Sequence, residues 1–216
     1  MKKNTLFNGI SNDDLQKLLQ CFSSYKKTFD KDSYIFHSGD KIHEIGLIVS
    51  GGVNIIKEDF WGNRAIIAKI SENEIFGEAF AFSSEKILDV SVVAYEKTEV
   101  LFLDCEKILF SCNSGCSFHR TLTENIIRMI SEKNIMLTRK MQHIMKKTTR
   151  EKILSYLSEQ ASKNHSNVFK INLNRQEMAD YLSVDRSALS NELSKLKKED
   201  VIDFNKNMFT LKYNNE

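Results

Sequence analysis

Arg186, Ser187, Ser190 and Asn191 fall on one face of a helical pattern near the end of the chain, and Ser194 extends that face. Each can hydrogen-bond, and none is a large hydrophobe. A guanidinium can donate two bonds to guanine O6 and N7, and a carboxamide is shaped to pair with adenine N6 and N7, whereas short serines discriminate weakly. The chemistry open to such a face is recognition of base edges rather than bond breaking. The opposite face carries Leu189, Leu193 and Leu196 at i, i+4 and i+7, a single apolar stripe. Upstream, Asn174 and Glu177 have the spacing of a capping box, and the helix they open turns Met178, Ala179 and Leu182 inward. Ser183-Val184-Asp185 forms the turn, with Asp185 able to cap the second helix. Two short helices, a tight turn and a polar outer face describe a helix-turn-helix. The same spacing also fits an ordinary helical hairpin with a solvated, serine-rich face.

A second constellation is Cys105, Cys112, Cys116 and His119. Were residues 112–119 helical, Cys112, Cys116 and His119 would share a face, and thiolates with imidazole suit zinc, another soft metal or a redox pair. Ser114-Gly115 interrupts that helix and the spacing matches no standard zinc motif. Buried structural cysteines are therefore the expectation, with no metal bound. Enzyme chemistry finds little support. His37 and His43 are wrongly spaced for a β-barrel metal centre, and the chain has neither a nucleophile elbow nor a Gly-rich phosphate loop.

The elements that must position these residues change character along the chain. Ser11 or Asn12 caps a short helix over 11–20 with Leu15, Leu18 and Leu19 inward. Residues 34–103 carry short β-type runs at 34–36, 45–49, 53–57, 64–70, 90–94 and 100–103, punctuated by Gly39-Asp40, Gly51-Gly52 and Trp61-Gly62-Asn63. That spacing predicts an antiparallel sandwich or barrel. A long helix follows over about 118–145. Its seam of Thr123, Ile127, Ile130, Asn134, Leu137, Met141 and Ile144 alternates steps of four and three, a dimerising coiled-coil pattern in which a buried Asn favours two strands in register. A second stripe, Leu122, Ile126, Met129 and Met136, is available to cover the β region. Thr148-Thr149-Arg150 opens another helix with Ile153, Leu154 and Leu157 inward, and 162–167 is a polar connection into a strand at VFKINL. VIDF and MFTL around Asn205-Lys206-Asn207 read as a β-hairpin.

The net charge of +2 conceals an asymmetry: residues 1–138 hold 16 Lys/Arg against 19 Asp/Glu, and residues 139–216 hold 15 against 10. A basic C-terminal third is what a phosphate-binding module needs. No stretch approaches the ~20 apolar residues of a membrane span, and no apolar segment follows the basic N-terminus, so neither a membrane anchor nor a signal peptide is expected. Four cysteines without such a signal suggest reduced thiols in a cytoplasmic protein. There is no proline, so turns are expected to rest on Gly, Asn, Asp and Ser.

RQEMADYLSVDRSALSNELSKLK followed by VIDFNKNMFTL resembles the C-terminal DNA-binding domain of the Crp/Fnr family of bacterial transcription regulators. HSGD, EIGLIVSGGVNIIKED and GNRAIIAKISENEIFGEAF resemble the family's cyclic-nucleotide-binding β-roll, so the likeness covers nearly the whole chain. It implies an α+β architecture: an effector-sensing, jelly-roll-like antiparallel β-roll over 1–117, a dimerisation helix over 118–146 and a winged helix-turn-helix over 147–216. It implies that Arg186, Ser187, Ser190 and Asn191 stand at base-reading positions, joined by Arg175, Gln176, Lys195 and Lys206 as DNA contacts. The implied partners are double-stranded DNA, a second copy of the chain, RNA polymerase and a small-molecule effector of unknown identity. In the family a Gly-Glu pair is followed about ten residues on by an Arg that holds the cyclic phosphate, then by a hydroxyl residue. Here Phe76-Gly77-Glu78-Ala79 is present, but Leu88 and Asp89 occupy the other two positions. A leucine cannot donate to phosphate and a carboxylate repels it, so the expected effector is not a cyclic nucleotide. Met129 and Met136 would form the pocket's helix-facing wall. The iron–sulfur branch relies on clustered N-terminal cysteines, and with only Cys21 there no such cofactor is expected. The rival expectation is a small-molecule, metal or redox sensor acting through protein contacts.

Overall fold

The computed structural model describes residues 5–110 and 116–212. Its contacts divide the chain into two compact units, Met1–Met129 and Ile130–Glu216.

The first unit runs from a 3-10 turn at Thr5–Phe7 through α1 (Asn12–Cys21), β1 (Tyr25–Phe29), β2 (Tyr34–Phe36), β3 (Glu44–Ser50), β4 (Gly52–Glu58), β5 (Arg64–Ser71), β6 (Ile75–Phe76), α2 (Glu78–Ala81), β7 (Ser91–Ala94), β8 (Thr98–Asp104) and α3 (Cys105–Phe110) to the first turns of α4 (Ser117–Ile144). Ser11 caps α1, its hydroxyl accepting from the Asp14 N–H. Among the described residues the strands form two antiparallel sheets, ordered β1-β8-β3-β6 and β2-β7-β4-β5.

The apolar runs of β3 and β8 are nearly continuous because both faces of that sheet are covered. Side chains alternate across a strand, and here each face meets a different core. Ile45 and Leu47 of β3 and Leu101 and Leu103 of β8 pack with Leu18 of α1, Phe22 just past its end, and Leu122 and Ile126 of α4. Ile48, Val100 and Phe102 point the other way, into a core shared with Val53, Ile70, Val92 and Ala94 of the second sheet. Gly46, also on the inner face, has to be glycine: a Cβ there would sit 2.2 Å from the Phe76 ring.

The second unit comprises the remaining turns of α4, then α5 (Thr149–Asn164), β9 (Val168–Lys170), α6 (Arg175–Leu182), α7 (Arg186–Lys198), β10 (Ile202–Asn205) and β11 (Met208–Leu211). The strands form one antiparallel sheet, ordered β10-β11-β9. Ile153 and Leu157, Met178 and Leu182, Leu189, Leu193 and Leu196, Phe169, Ile202 and Phe209 are the core. This is a winged helix-turn-helix, in which VFKINL supplies the third strand of the wing sheet. Two of its three helix starts are reciprocal capping boxes, Thr148 with Glu151 and Asn174 with Glu177, and the third is capped by Asp185.

One expectation needs correction. Turns do not rest only on Gly, Asn, Asp and Ser, since Lys86, His165 and Lys206 also adopt left-handed backbone at φ 56°, 48° and 53°. Without proline to preset turns, tertiary packing holds these residues in a region that L side chains enter at a cost.

Candidate nucleic-acid interface and effector pocket

The recognition helix is placed by its caps and its buried stripe. Asn174 Oδ1 accepts from the Glu177 N–H at 3.0 Å while Glu177 Oε2 accepts from the Asn174 N–H at 2.7 Å. α6 ends at Ser183 in left-handed backbone, φ 51°. Asp185 Oδ1 then accepts from the N–H groups of Ser187 and Ala188 at 2.7 and 3.1 Å and from the Ser187 hydroxyl at 2.5 Å. The Ser187 hydroxyl and those two amides hold the Asp185 carboxyl below its usual range. Arg150 of α5 secures the other end of α7, reaching Glu192 at 3.4 Å and Glu199 at 2.5 Å.

With Leu189, Leu193 and Leu196 buried, α7 leaves Arg186, Ser187, Ser190, Asn191, Ser194 and Lys195 exposed. The side chains of Arg186 and Asn191 make no hydrogen bond or ion pair among the described residues, so both polar ends face solvent. Ser187 is engaged by the cap, and Ser194 donates to the Ser190 carbonyl at 2.9 Å. The side chains open to a base edge are therefore chiefly Arg186, Ser190 and Asn191. Lys195 lies 3.7 Å from Glu192, and Gln176 donates to Asp180 at 2.8 Å. Lys206 occupies the wing turn. Arg175 is the exception in the expected set: its guanidinium is engaged inside the protein, with Nη2 donating to the Lys206 carbonyl at 2.9 Å.

In the first unit Gly77 takes φ 82° and Glu78 opens α2, buried to 5% exposure, with Ala79 exposed beside it. Leu88 is 2% exposed and packs in the helix-facing core. Asp89 is exposed and its carboxylate meets Lys57 Nζ at 2.5 Å. The two positions that would have to grip an anionic phosphate thus hold a core hydrocarbon and a carboxylate already matched by a lysine. Met129 packs against the same core as Leu122 and Ile126. Met136 does not join it and stands 64% exposed in the second unit. Seven residues of helix advance it by about 10 Å, past the last turn of α4 that the first unit covers.

Of the cysteine constellation, Cys105, Cys116 and His119 are among the described residues, and these three do not gather as a metal site. Cys105 is buried, and burial pushes its thiol up to about 12, with the Asp104 carboxylate adding to the shift. Such a thiol stays protonated and makes a poor ligand. Cys116 is half-buried, and Cys112 lies outside the described residues. His119 is buried, its ring centre 4.8 Å from that of Phe22 with the two planes at 72°, and neither ring nitrogen has a hydrogen-bond partner among the described residues. Among those residues no group of three His, Cys, Asp or Glu side chains gathers as a metal site.

Along α4, Ile127, Ile130, Leu137 and Met141 are all exposed, as are Asn134, Ile135 and Met136, while Ile144 is half-buried. An apolar seam of this length is uncovered in the single chain. No described helix is long and apolar enough to cross a membrane.

Sequence reasoning missed a buried polar network at the end of α4. His143 Nδ1 lies 2.8 Å from Ser155 Oγ and Nε2 2.5 Å from Glu159 Oε2, with the rings of Tyr156 and Tyr181 packed around the imidazole. Burial pushes the Glu159 carboxyl up, but hydrogen bonds from Lys163 and His143 outweigh it and hold the group below its usual range. The available signal was a histidine on the face of α4 opposite the seam, where a solvated helix needs none.

Residues 26–113 match the family of cyclic nucleotide-binding domains, and residues 151–213 match the Crp-like helix-turn-helix domain. The chain is 29% identical over 109 residues to the cyclic AMP receptor protein of Thermus thermophilus, a match that spans about half of either protein (50% of this chain and 49% of that one). It is 26% identical to the anaerobic regulatory protein of Bacillus subtilis over 88% of this chain and 79% of that one. Its fold is similar to a cysteine-to-serine variant of CprK complexed with OCPA, with a TM-score of 0.63 and 16% identity over 91% of this chain and 88% of that one. It is also similar to a CooA mutant from Carboxydothermus hydrogenoformans, with a TM-score of 0.59 and 17% identity over 99% and 93%. At such identities the structural likeness speaks for the fold alone. A β-roll, a long helix and a winged helix-turn-helix in this order define a DNA-binding transcription regulator. The chain belongs to the Crp/Fnr family.

Proposed function

We propose that the protein is a cytoplasmic homodimer that binds a palindromic operator under the control of an effector other than a cyclic nucleotide. Residues 1–117 serve as the sensor, 118–146 as the dimerisation helix and 147–216 as the DNA-binding domain, with RNA polymerase as the protein partner at the promoter. The observation that carries this reading is the outer face of α7: Arg186 and Asn191 exposed and uncommitted on a helix whose other face is locked by three buried leucines. Dimerisation sets the two recognition helices one helical turn of DNA apart, about 34 Å. An effector in the β-roll changes affinity by favouring one arrangement of the two helices over another.

Arg186 reads a guanine and Asn191 favours an adenine, so the half-site keeps one guanine contact and an adenine beside it. Arg186→Ala is expected to cost about 1–3 kcal/mol at the cognate site and to relax preference at one base pair. Selection of bound duplexes from a random pool, run on wild type and variant, measures this directly. Identical consensus motifs with only a drop in affinity would make Arg186 a phosphate contact and remove the readout argument. Failure of the wild type to enrich any sequence, or to bind duplex more tightly at low salt than at high, would favour a sensor acting through protein contacts.

The effector side gives a second expectation. With Leu88 in the core and Asp89 paired to Lys57, calorimetry with cyclic AMP and cyclic GMP should show no binding in the micromolar range. Micromolar affinity that disappears in Glu78→Ala would contradict it and restore the nucleotide pocket. The same chemistry favours a less anionic, partly apolar effector.

A further inference from the structure

Arg175 begins α6 but spends its side chain on the wing. Its guanidinium lies 5.0 Å from the ring centre of Phe204 on β10 and 5.1 Å from that of Phe209 on β11, within cation–π range of both. Nη2 donates to the Lys206 carbonyl at 2.9 Å, and Nη1 is buried with no acceptor among the described residues. The wing turn receives a second tie from the other strand, where the Ile171 N–H donates to the Asn207 carbonyl at 2.9 Å. Lys206, whose own carbonyl accepts the first of these bonds, stands at φ 53°, a backbone conformation a lysine keeps only where its surroundings impose it.

A guanidinium suits this position because it is planar and directs several donors at fixed angles. An ammonium, like that of Lys197 beside Phe204, can reach one ring and one carbonyl, but as a point charge on a flexible stem it has no planar fork to span two rings and the Lys206 carbonyl at once. To touch a DNA phosphate, Arg175 would have to leave both rings and the carbonyl.

We propose that Arg175 is a positioning residue that acts on DNA through Lys206: it fixes the wing turn so that the Lys206 ammonium meets a phosphate, and does not itself contact DNA. This rests on the DNA-binding reading above.

The test uses the full chain and a duplex carrying its selected palindrome, with affinity measured over a range of potassium chloride concentrations for wild type, Arg175→Met, Arg175→Lys, Lys206→Gln and the double variant Arg175→Met/Lys206→Gln. Each single variant should flatten the slope of log K against log salt by about 0.9 per protomer, the loss of one phosphate contact. The double variant should be no flatter than either single one, and Arg175→Lys should behave as Arg175→Met although it keeps the charge. Additive losses in the double variant, a wild-type slope in Arg175→Lys, or an unchanged slope in Arg175→Met would each overturn the proposal. Hydrogen exchange on the DNA-free protein reads the clamp separately. Amides of β10 and β11 should exchange at least about tenfold faster in Arg175→Met and Arg175→Lys while α7 amides keep their protection. Unchanged wing exchange would defeat the clamp whatever the DNA result. If wild type binds no duplex in a salt-dependent way, the DNA-binding reading fails, and the role assigned to Arg175 on DNA fails with it even where exchange finds the clamp.

Discussion

Replacing Ile130 and Leu137 together by glutamate is expected to leave a folded monomer that has lost its hold on a full palindrome. Both side chains are exposed in the single chain, 37% and 56%, so neither unit's core depends on them. Their place on the four–three seam with Asn134 makes them the residues a second copy would cover. Two glutamates in each helix would bring four like charges into one desolvated seam, and unpaired buried charge is among the most costly changes available. Affinity for a duplex with two half-sites should fall about 10²–10⁴-fold, the advantage of linking two binding events, while affinity for a single half-site stays near that of wild type. Sedimentation velocity and a gel-shift series on one- and two-half-site duplexes measure both. An unchanged dimer would place the interface elsewhere.

Leu193→Ala carries the other large effect. Leu193 is 1% exposed at the centre of the α7 stripe, between Leu189 and Leu196 and against the helices and sheet of the second unit. Truncating a leucine so enclosed removes its transfer free energy and leaves a cavity, and the cost is about 2–5 kcal/mol. Opening free energies from hydrogen exchange of α5 and α7 amides in the full chain should fall by that amount. Asn191→Ala, two residues away on the exposed face, should shift stability by less than about 0.5 kcal/mol and yet change the selected half-site. A small effect of Leu193→Ala on exchange would mean that the stripe does not hold the recognition helix.

The contrast between those two positions explains what could be read from the chain in advance. A helix with one dry and one wet face writes its period into the sequence, so α5, α6 and α7, their caps and the leucine stripe are legible. β3 and β8 are legible for the opposite reason, since two covered faces give unbroken apolar runs. β1 escapes notice because Tyr25, Lys26, Lys27 and Thr28 are exposed on an edge strand and only Phe29 is buried. β6, α2 and α3 are too short to show a period, and tertiary contacts define them. At the site, residue types announced the polar face of α7, but whether each side chain was free depended on neighbours. Ser187 is consumed by a cap two residues before it, Arg175 by aromatic rings about thirty residues on. Met136 shows the same limit: its stripe is continuous in sequence, but the core it was meant to cover ends before it. His143 found its hydrogen-bond partners on another helix, which no spacing on α4 could reveal.

The His143 network has a mechanical consequence. A hydrogen-bonded imidazole enclosed by Ser155, Glu159, Tyr156 and Tyr181 fastens the last turn of α4 to the middle of α5, and α5 in turn holds the recognition helix through Arg150. These contacts couple the orientation of the final turns of α4 to that of α7 within the second unit.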